Sequence, residues 1–178
     1  MGLSDESAFS ADTIVALFTD SFAASEGAEE GALIGGLVEK MLETPAQELC
    51  VYTASDAGRL IGCICFSRLD YPQDPRQVML LSPVAVATSA QGKGVGQALI
   101  THGLNALRAE GIDMAITYGD PAFYGRVGFS ALTEEMAPPP LPLSHPEGWI
   151  GQSLSGADLS PLKGPSSCVA ALNKPDYW

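Results

Sequence analysis

The stretch Gln91-Gly92-Lys93-Gly94-Val95-Gly96-Gln97 places three glycines and a lysine between an apolar run and an amphipathic one. Glycine takes unusual backbone angles and lets the main chain approach a ligand with no Cβ in the way. A helix starting here would leave its first amides without internal acceptors, and its dipole adds partial positive charge. Together these make an anion site suited to a phosphate or pyrophosphate, with Lys93 adding one point charge. The bland alternative is a tight glycine turn that binds nothing. Spacing narrows the ligand. A P-loop needs GxxxxGK followed by Ser or Thr, and Lys93 is followed by Gly94. A dinucleotide fingerprint needs GxGxxG, and its third position falls on Gln97 or Leu99.

Other reactive side chains are scattered. Cys63-Ile64-Cys65 has i, i+2 spacing, which puts both thiols on one face of a strand. Zinc sites show a wider gap and a second matched pair, so no metal is expected. The four cysteines, Cys50, Cys63, Cys65 and Cys168, read as reduced residues acting as small hydrophobes. No His lies near enough in sequence to support a catalytic thiol. His102 falls off the apolar stripe of its helix and is expected at the surface; His145, between Ser144 and Pro146, is expected in a loop. Asp120-Pro121 has the form of a helix N-cap with proline at the first position. In Leu81 to Ala87 the sole polar side chain is Ser82, so no general base is visible.

These residues need elements to position them. Apolar spacing predicts helices over Asp12–Ala24 and Glu29–Leu42. Glu48–Ala54 and Arg59–Leu69 read as strands joined by a turn at Ser55-Asp56-Ala57-Gly58. Val78 to Ala87 is a nearly continuous apolar run, as expected of a strand covered on both faces. Pro83 interrupts it and predicts a bulge or local strand separation. A helix then runs to about Glu110 on the stripe Gly96, Leu99, Ile100, Gly103, Leu104 and Leu107, with Gly111 as its stop. Ile112–Tyr118 follows as a strand, so strand, loop, helix and strand form a right-handed parallel crossover. The proline-rich Pro138 to Pro146 reads as an ordered connection, and Trp149–Leu154 and Cys168–Leu172 as late strands.

The 178 residues suit one mixed α/β domain spanning 1–178, with a core over 12–132 and the connection and late strands over 138–178. The chain is 46% apolar and 17% charged, which argues against disorder. Its apolar runs are shorter than the roughly 20 residues of a membrane span. Met1 to Glu6 is acidic and polar, so no secretory leader is expected and the chain reads as cytoplasmic. A net charge of −12 disfavours nucleic acid and anionic membranes and favours cationic partners. The scarcity of cations also means that a polyphosphate must be held mainly by backbone amides.

Leu81 to Gly111 resembles the signature segment of the GNAT superfamily of acyl-CoA-dependent N-acyltransferases. The family pattern is Gln or Arg, two residues, Gly, one residue, then Gly or Ala; Gln91, Gly94 and Gly96 match it. Phe123-Tyr124-Gly125-Arg126-Val127-Gly128-Phe129 is similar to the family's tyrosine segment before a Gly-Phe pair. The resemblance covers roughly Asp12 to Leu132, and the tail resembles a small single-domain bacterial branch. It implies a mostly antiparallel sheet with a splayed parallel strand pair, flanked by helices. It also implies acetyl transfer from acetyl-CoA to a primary amine of a small molecule or peptide by direct attack in a ternary complex. Amides from Gly92 through Lys93, Gly94, Val95 and Gly96 to Gln97 would cradle the pyrophosphate, and Gln91 opens the loop. Backbone groups of Val84, Ala85 and Val86 would pair with the pantetheine arm. Tyr124 would hydrogen-bond the leaving thiolate and deliver its proton. The partners expected are acetyl-CoA and an amine acceptor, with acidity favouring a cationic one and a homodimer allowed. A non-catalytic acyl-CoA sensor is the competing expectation.

Overall fold

The computed structural model describes residues 1–4 and 9–178, so Asp5 and Glu6 of the acidic start lie outside the described residues. A short strand that the sequence did not announce, β1 (Gly2–Ser4), pairs antiparallel with β2 (Leu49–Asp56), in register from Gly2↔Ser55 to Ser4↔Thr53. Three residues are too few to display an alternation. Helix α1 (Ala11–Glu26) begins at Ser10, whose hydroxyl accepts the Thr13 amide at 3.3 Å, an ordinary N-cap. Its buried face is Ile14, Leu17, Phe18 and, against the apolar pattern, Ser21. Helix α2 (Ala28–Met41) packs on α1 at close range, since a Cβ on Gly31 would stand 2.6 Å from the Thr19 carbonyl oxygen.

The β2–β3 hairpin (β3, Arg59–Asp70) turns on two residues where four were expected. Ala57 and Gly58 both take positive φ, 48° and 75°, the conformation that matches the twist of paired strands. Strand β4 (Val78–Val86) leads through a 3-10 turn at Thr88–Ala90 to α3 (Val95–Ala109) and β5 (Met114–Tyr118). One helical turn, α4 (Pro121–Tyr124), then precedes β6 (Ser130–Ala131), β7 (Trp149–Ser153) and β8 (Ser167–Cys168). The expected strand Cys168–Leu172 is therefore corrected. Only Ser167–Cys168 pairs, with Asp70 and Leu69, and Ala170–Leu172 coils as a 3-10 turn that buries Ala171 and Leu172.

The strands hydrogen-bond in the order β1-β2-β3-β4-β5-β7-β6, and β8 adds to β3. The β4–β5 pair is parallel and the β5–β7 and β6–β7 pairs antiparallel, giving the mixed α/β sheet expected. The parallel ladder runs from Val78↔Met114 to Leu81↔Thr117 and ends there, two residues before Pro83, while β4 continues to Val86.

Two compact units are distinguishable, Met1–Phe66 with Pro83–Gly103, and Ser67–Ser82 with Leu104–Trp178. In the first, Val95 and Leu99 of α3 lie over Gly62, and the Tyr52, Ile64 and Phe66 side chains close around Gly103. Cys63 and Cys65 are both fully buried and reduced, as expected of cysteines acting as small hydrophobes. In the second unit, Trp149 and Trp178 pack at 6.0 Å and each indole donates to a carbonyl, of Ala137 and Leu172 respectively. The Asp74 carboxylate, 1% exposed, takes Arg76 Nη2 at 2.7 Å and the Lys163 amide at 3.0 Å.

Candidate active site

In the first unit the end of β4, the glycine loop and the start of α3 follow one another without a break. Gly92 and Gly94 take φ of +71° and +77°, and nothing lies within 4 Å of where a Cβ would stand on either. Backbone conformation rather than crowding therefore selects glycine at both. The first helical bond is from the Ala98 amide to the Gly94 carbonyl at 3.0 Å, so Val95, Gly96 and Gln97 are the N-terminal residues whose amides have no acceptor within the helix. The positive dipole end coincides with them. Val95, 5% exposed, anchors this turn in the core.

Side chains of the predicted set act on the loop itself. Gln91 Nε2 donates to the Val86 carbonyl at 3.0 Å, tying the loop to the last residue of β4. The same carbonyl accepts the buried Ser21 hydroxyl of α1 at 3.1 Å. Lys93 Nζ donates to the Ser89 carbonyl at 2.8 Å, holding its charge over the loop. The Ala87 amide donates to Ile61 of β3 at 2.9 Å. Strand alternation turns the neighbouring Val86 the opposite way, and Val84 with it, away from β3. Ala85 is buried, and Val84 and Val86 are half-buried.

Tyr124 belongs to the second unit. Asp120 and Pro121 cap its helical turn as the sequence predicted: Asp120 Oδ1 accepts the Ala122 amide at 2.9 Å, and Pro121 stands in the first turn. Asp120 is thus committed to structure. The Tyr124 ring meets Phe129 edge-on at 5.7 Å and Phe123 at 5.0 Å. A Cβ on Gly119 would stand 2.6 Å from Tyr124 Cε2, so only glycine at 119 leaves the ring where it is. Burial pushes the phenol above its ordinary pKa; a hydrogen bond with Thr117 opposes this and the Asp120 charge reinforces it. Thr117 also donates its hydroxyl to the Leu81 carbonyl at 2.8 Å.

Ser82, the polar residue of the apolar run, is half-buried in β4. His145 is an exposed loop residue, 3.5 Å from Glu147. His102 corrects an expectation: it is half-buried and packs edge-on to Tyr52 at 5.8 Å, because the helix edge beside the apolar stripe still meets the sheet. A cleft of about 710 Å³ in the first unit runs between α1 and the loop after β4, lined by Asp20, Ser21, Arg59 and Ser89 among others. Sequence reading missed this cleft, and it missed Ser21, Gly119 and Thr117. Ser21 alone had a local signal, as a polar residue on the Leu17 and Phe18 face. Among the described residues no group of three His, Cys, Asp or Glu could hold a metal, and no helix is long and apolar enough to cross a membrane.

The structure thus sets a glycine loop at a helix N-terminus, after a strand that outlasts its parallel ladder. Residues 11–129 match the Acetyltransferase (GNAT) family. The chain is 31% identical over 156 residues to the uncharacterized N-acetyltransferase YjhQ of Escherichia coli K12, covering 85% of this chain and 82% of YjhQ. The crystal structure of YhbS, a GNAT family N-acetyltransferase from Escherichia coli in complex with CoA, aligns with a TM-score of 0.79 at 25% identity. That alignment covers 97% of this chain and 91% of YhbS. A GNAT acetyltransferase from Brucella melitensis in complex with acetyl-CoA shares the fold at a TM-score of 0.75 and 24% identity, over 97% of both chains. The protein belongs to the GNAT family of acetyltransferases.

Proposed function

We propose that the protein transfers the acetyl group of acetyl-CoA to a primary amine of a small molecule or peptide, by direct attack in a ternary complex. The observation that carries this reading is the cradle: Gly92 and Gly94 at positive φ, leading into the first amides of α3, which have no acceptor within the helix. Its open space and N–H donors suit a pyrophosphate, and the bound CoA of YhbS supports the same ligand class. The donor group supplies the acetyl unit as a thioester.

The chain's own residues then divide the work. Amides from Gly92 to Gln97 hold the phosphates, because few cations are present to do so. Gln91 and Ser21 fix the Val86 carbonyl, which sets the direction of the β4 backbone at Val84 and Val86 for pairing with the pantetheine amides. Tyr124, with its pKa raised, stays protonated at neutral pH and donates to the departing sulfur. With the phenol pushed above its ordinary pKa, full proton transfer to a thiolate, the conjugate base of a stronger acid, is uphill. The hydrogen bond is therefore the main contribution, and a bond to a charged acceptor is worth roughly 1.5–3 kcal/mol. The excess of Asp and Glu favours a cationic acceptor.

Two measurements test this. Isothermal titration should show binding of acetyl-CoA but not of ATP or NAD. Loss of thioester absorbance against a panel of polyamines, amino acids and short peptides should identify an acceptor, whereas binding with no turnover would make the protein an acyl-CoA sensor. Tyr124→Phe should slow turnover roughly 10- to 100-fold at unchanged acetyl-CoA affinity; equal turnover would exclude its role.

A further inference from the structure

A buried amide in β7 stands behind the tyrosine segment. Gln152 is 8% exposed, opposite Ala115 of β5, and both ends of its side chain are engaged. Its Nε2 donates to the Val127 carbonyl at 3.0 Å, and its Oε1 accepts from Arg108 Nη2 at 3.0 Å. Arg108 is held in turn by Asn105 Oδ1 at 2.8 Å. A guanidinium only donates, so it fixes which end of the amide faces Val127. Val127 closes the 3-10 turn that follows Tyr124. Gly128 comes next at φ +94°, and a Cβ there would approach Gln152 Oε1 to 3.3 Å. The Phe129 amide then returns to the Tyr124 carbonyl at 3.3 Å. The segment is thus pinned at its entry by the Asp120 cap and at its exit by Gln152, with Tyr124 between them.

Stability alone gives little reason for an amide at this point. Replacing a buried hydrogen-bonded group and its partner by apolar groups of similar shape can be nearly neutral. What an apolar side chain cannot do is set the Val127 carbonyl, and with it the turn that carries the ring. We infer that Gln152, oriented by Arg108, is a positioning residue that holds the Tyr124 phenol in place for acetyl transfer. The inference rests on the catalytic reading of Tyr124 for its kinetic consequence, though not for the placement of the ring.

The test uses the whole protein saturated with acetyl-CoA and two variants, Gln152→Met and Gln152→Glu. Methionine is nearly isosteric and removes both bonds; glutamate keeps an acceptor for Arg108 but loses the donor to Val127. In both, the NOE between the Tyr124 and Phe129 rings should weaken or disappear, while acetyl-CoA affinity is retained. Acetyl transfer to the fastest amine of the panel should fall about tenfold in kcat, the scale expected when a reacting group is displaced by a fraction of an ångström. In a Tyr124→Phe background neither substitution should slow kcat further. An unchanged ring contact in a folded variant would overturn the proposal, as would a kcat loss that multiplies that of Tyr124→Phe. Should Tyr124→Phe alone match wild type, the catalytic reading of Tyr124 fails instead, and the ring contact still judges the positioning role.

Discussion

Gly94→Ala separates the conformation of the glycine loop from its contacts. At φ +77° with no atom within 4 Å of where the new Cβ would stand, alanine meets no clash, and its whole penalty is the left-handed backbone. That penalty is about 1–2 kcal/mol for an L-residue. The free protein can relieve the strain by letting the loop relax, at the expense of the alignment of the Val95 to Gln97 amides. On the proposed function the complex cannot, because phosphate binding would need those amides aligned. A thermodynamic cycle then requires the loss of stability in the free protein and the loss of acetyl-CoA affinity to sum to the strain. If the loop relaxes fully, the dissociation constant rises roughly 5- to 30-fold with little change in unfolding free energy. If it stays in place, affinity holds and stability drops by the same 1–2 kcal/mol. Urea unfolding and isothermal titration on the same samples measure the two parts. Gly94→Asn should show a smaller sum, since asparagine tolerates this region better. A sum near zero for Gly94→Ala would refute the argument that backbone conformation selects glycine here.

Two further outcomes are expected. Asp74→Asn breaks a half-buried ion pair and should destabilise the protein by about 1–3 kcal/mol, with Arg76 left partly solvated. Hydrogen bonds from Arg76 and the Lys163 amide hold the Asp74 carboxyl well below the usual range. Its contribution is therefore complete above the unfolded pKa near 4 and is lost as pH falls below that toward the depressed folded value. Urea midpoints of the variant should accordingly fall less steeply below about pH 4 than those of wild type; equal slopes would sink the assignment. Gly103→Ala would place a Cβ 2.7 Å from Phe66 Cε2 and 3.0 Å from Tyr52 Cδ2. Overpacking of about 1–3 kcal/mol outweighs the ~1 kcal/mol gain in helix propensity, so the melting temperature should fall by a few degrees. A rise would show that the rings give way freely.

Much of the local structure around the candidate site residues was legible because it is written in consecutive residues. The loop Gln91 to Gln97, the amphipathic stripe of α3 and the Asp120-Pro121 cap each depend on contacts a few residues apart, and all three stand where spacing put them. Pro83 marked the place where β4 outlasts its parallel ladder. Strand β1 was illegible because three residues show no period, and the two-residue hairpin turn because Ala57 is not a residue that announces positive φ. His102 was misplaced because an apolar stripe gives the centre of a buried face and not its width.

What the sequence by itself determined is the glycine loop and the helix start that follows it, since glycine spacing at a helix start is local geometry that the chain imposes without help. What only the tertiary structure decided is the support of that chemistry: Ser21 on the Val86 carbonyl, Gly119 beneath the Tyr124 ring, and Gln152 on Val127. Ser21 and Gln152 act on groups 65 and 25 residues away in sequence, and Gly119 works by an empty space. Neither a long-range hydrogen bond nor a missing Cβ leaves a periodic trace in the chain, so folding alone brings each of them to its partner.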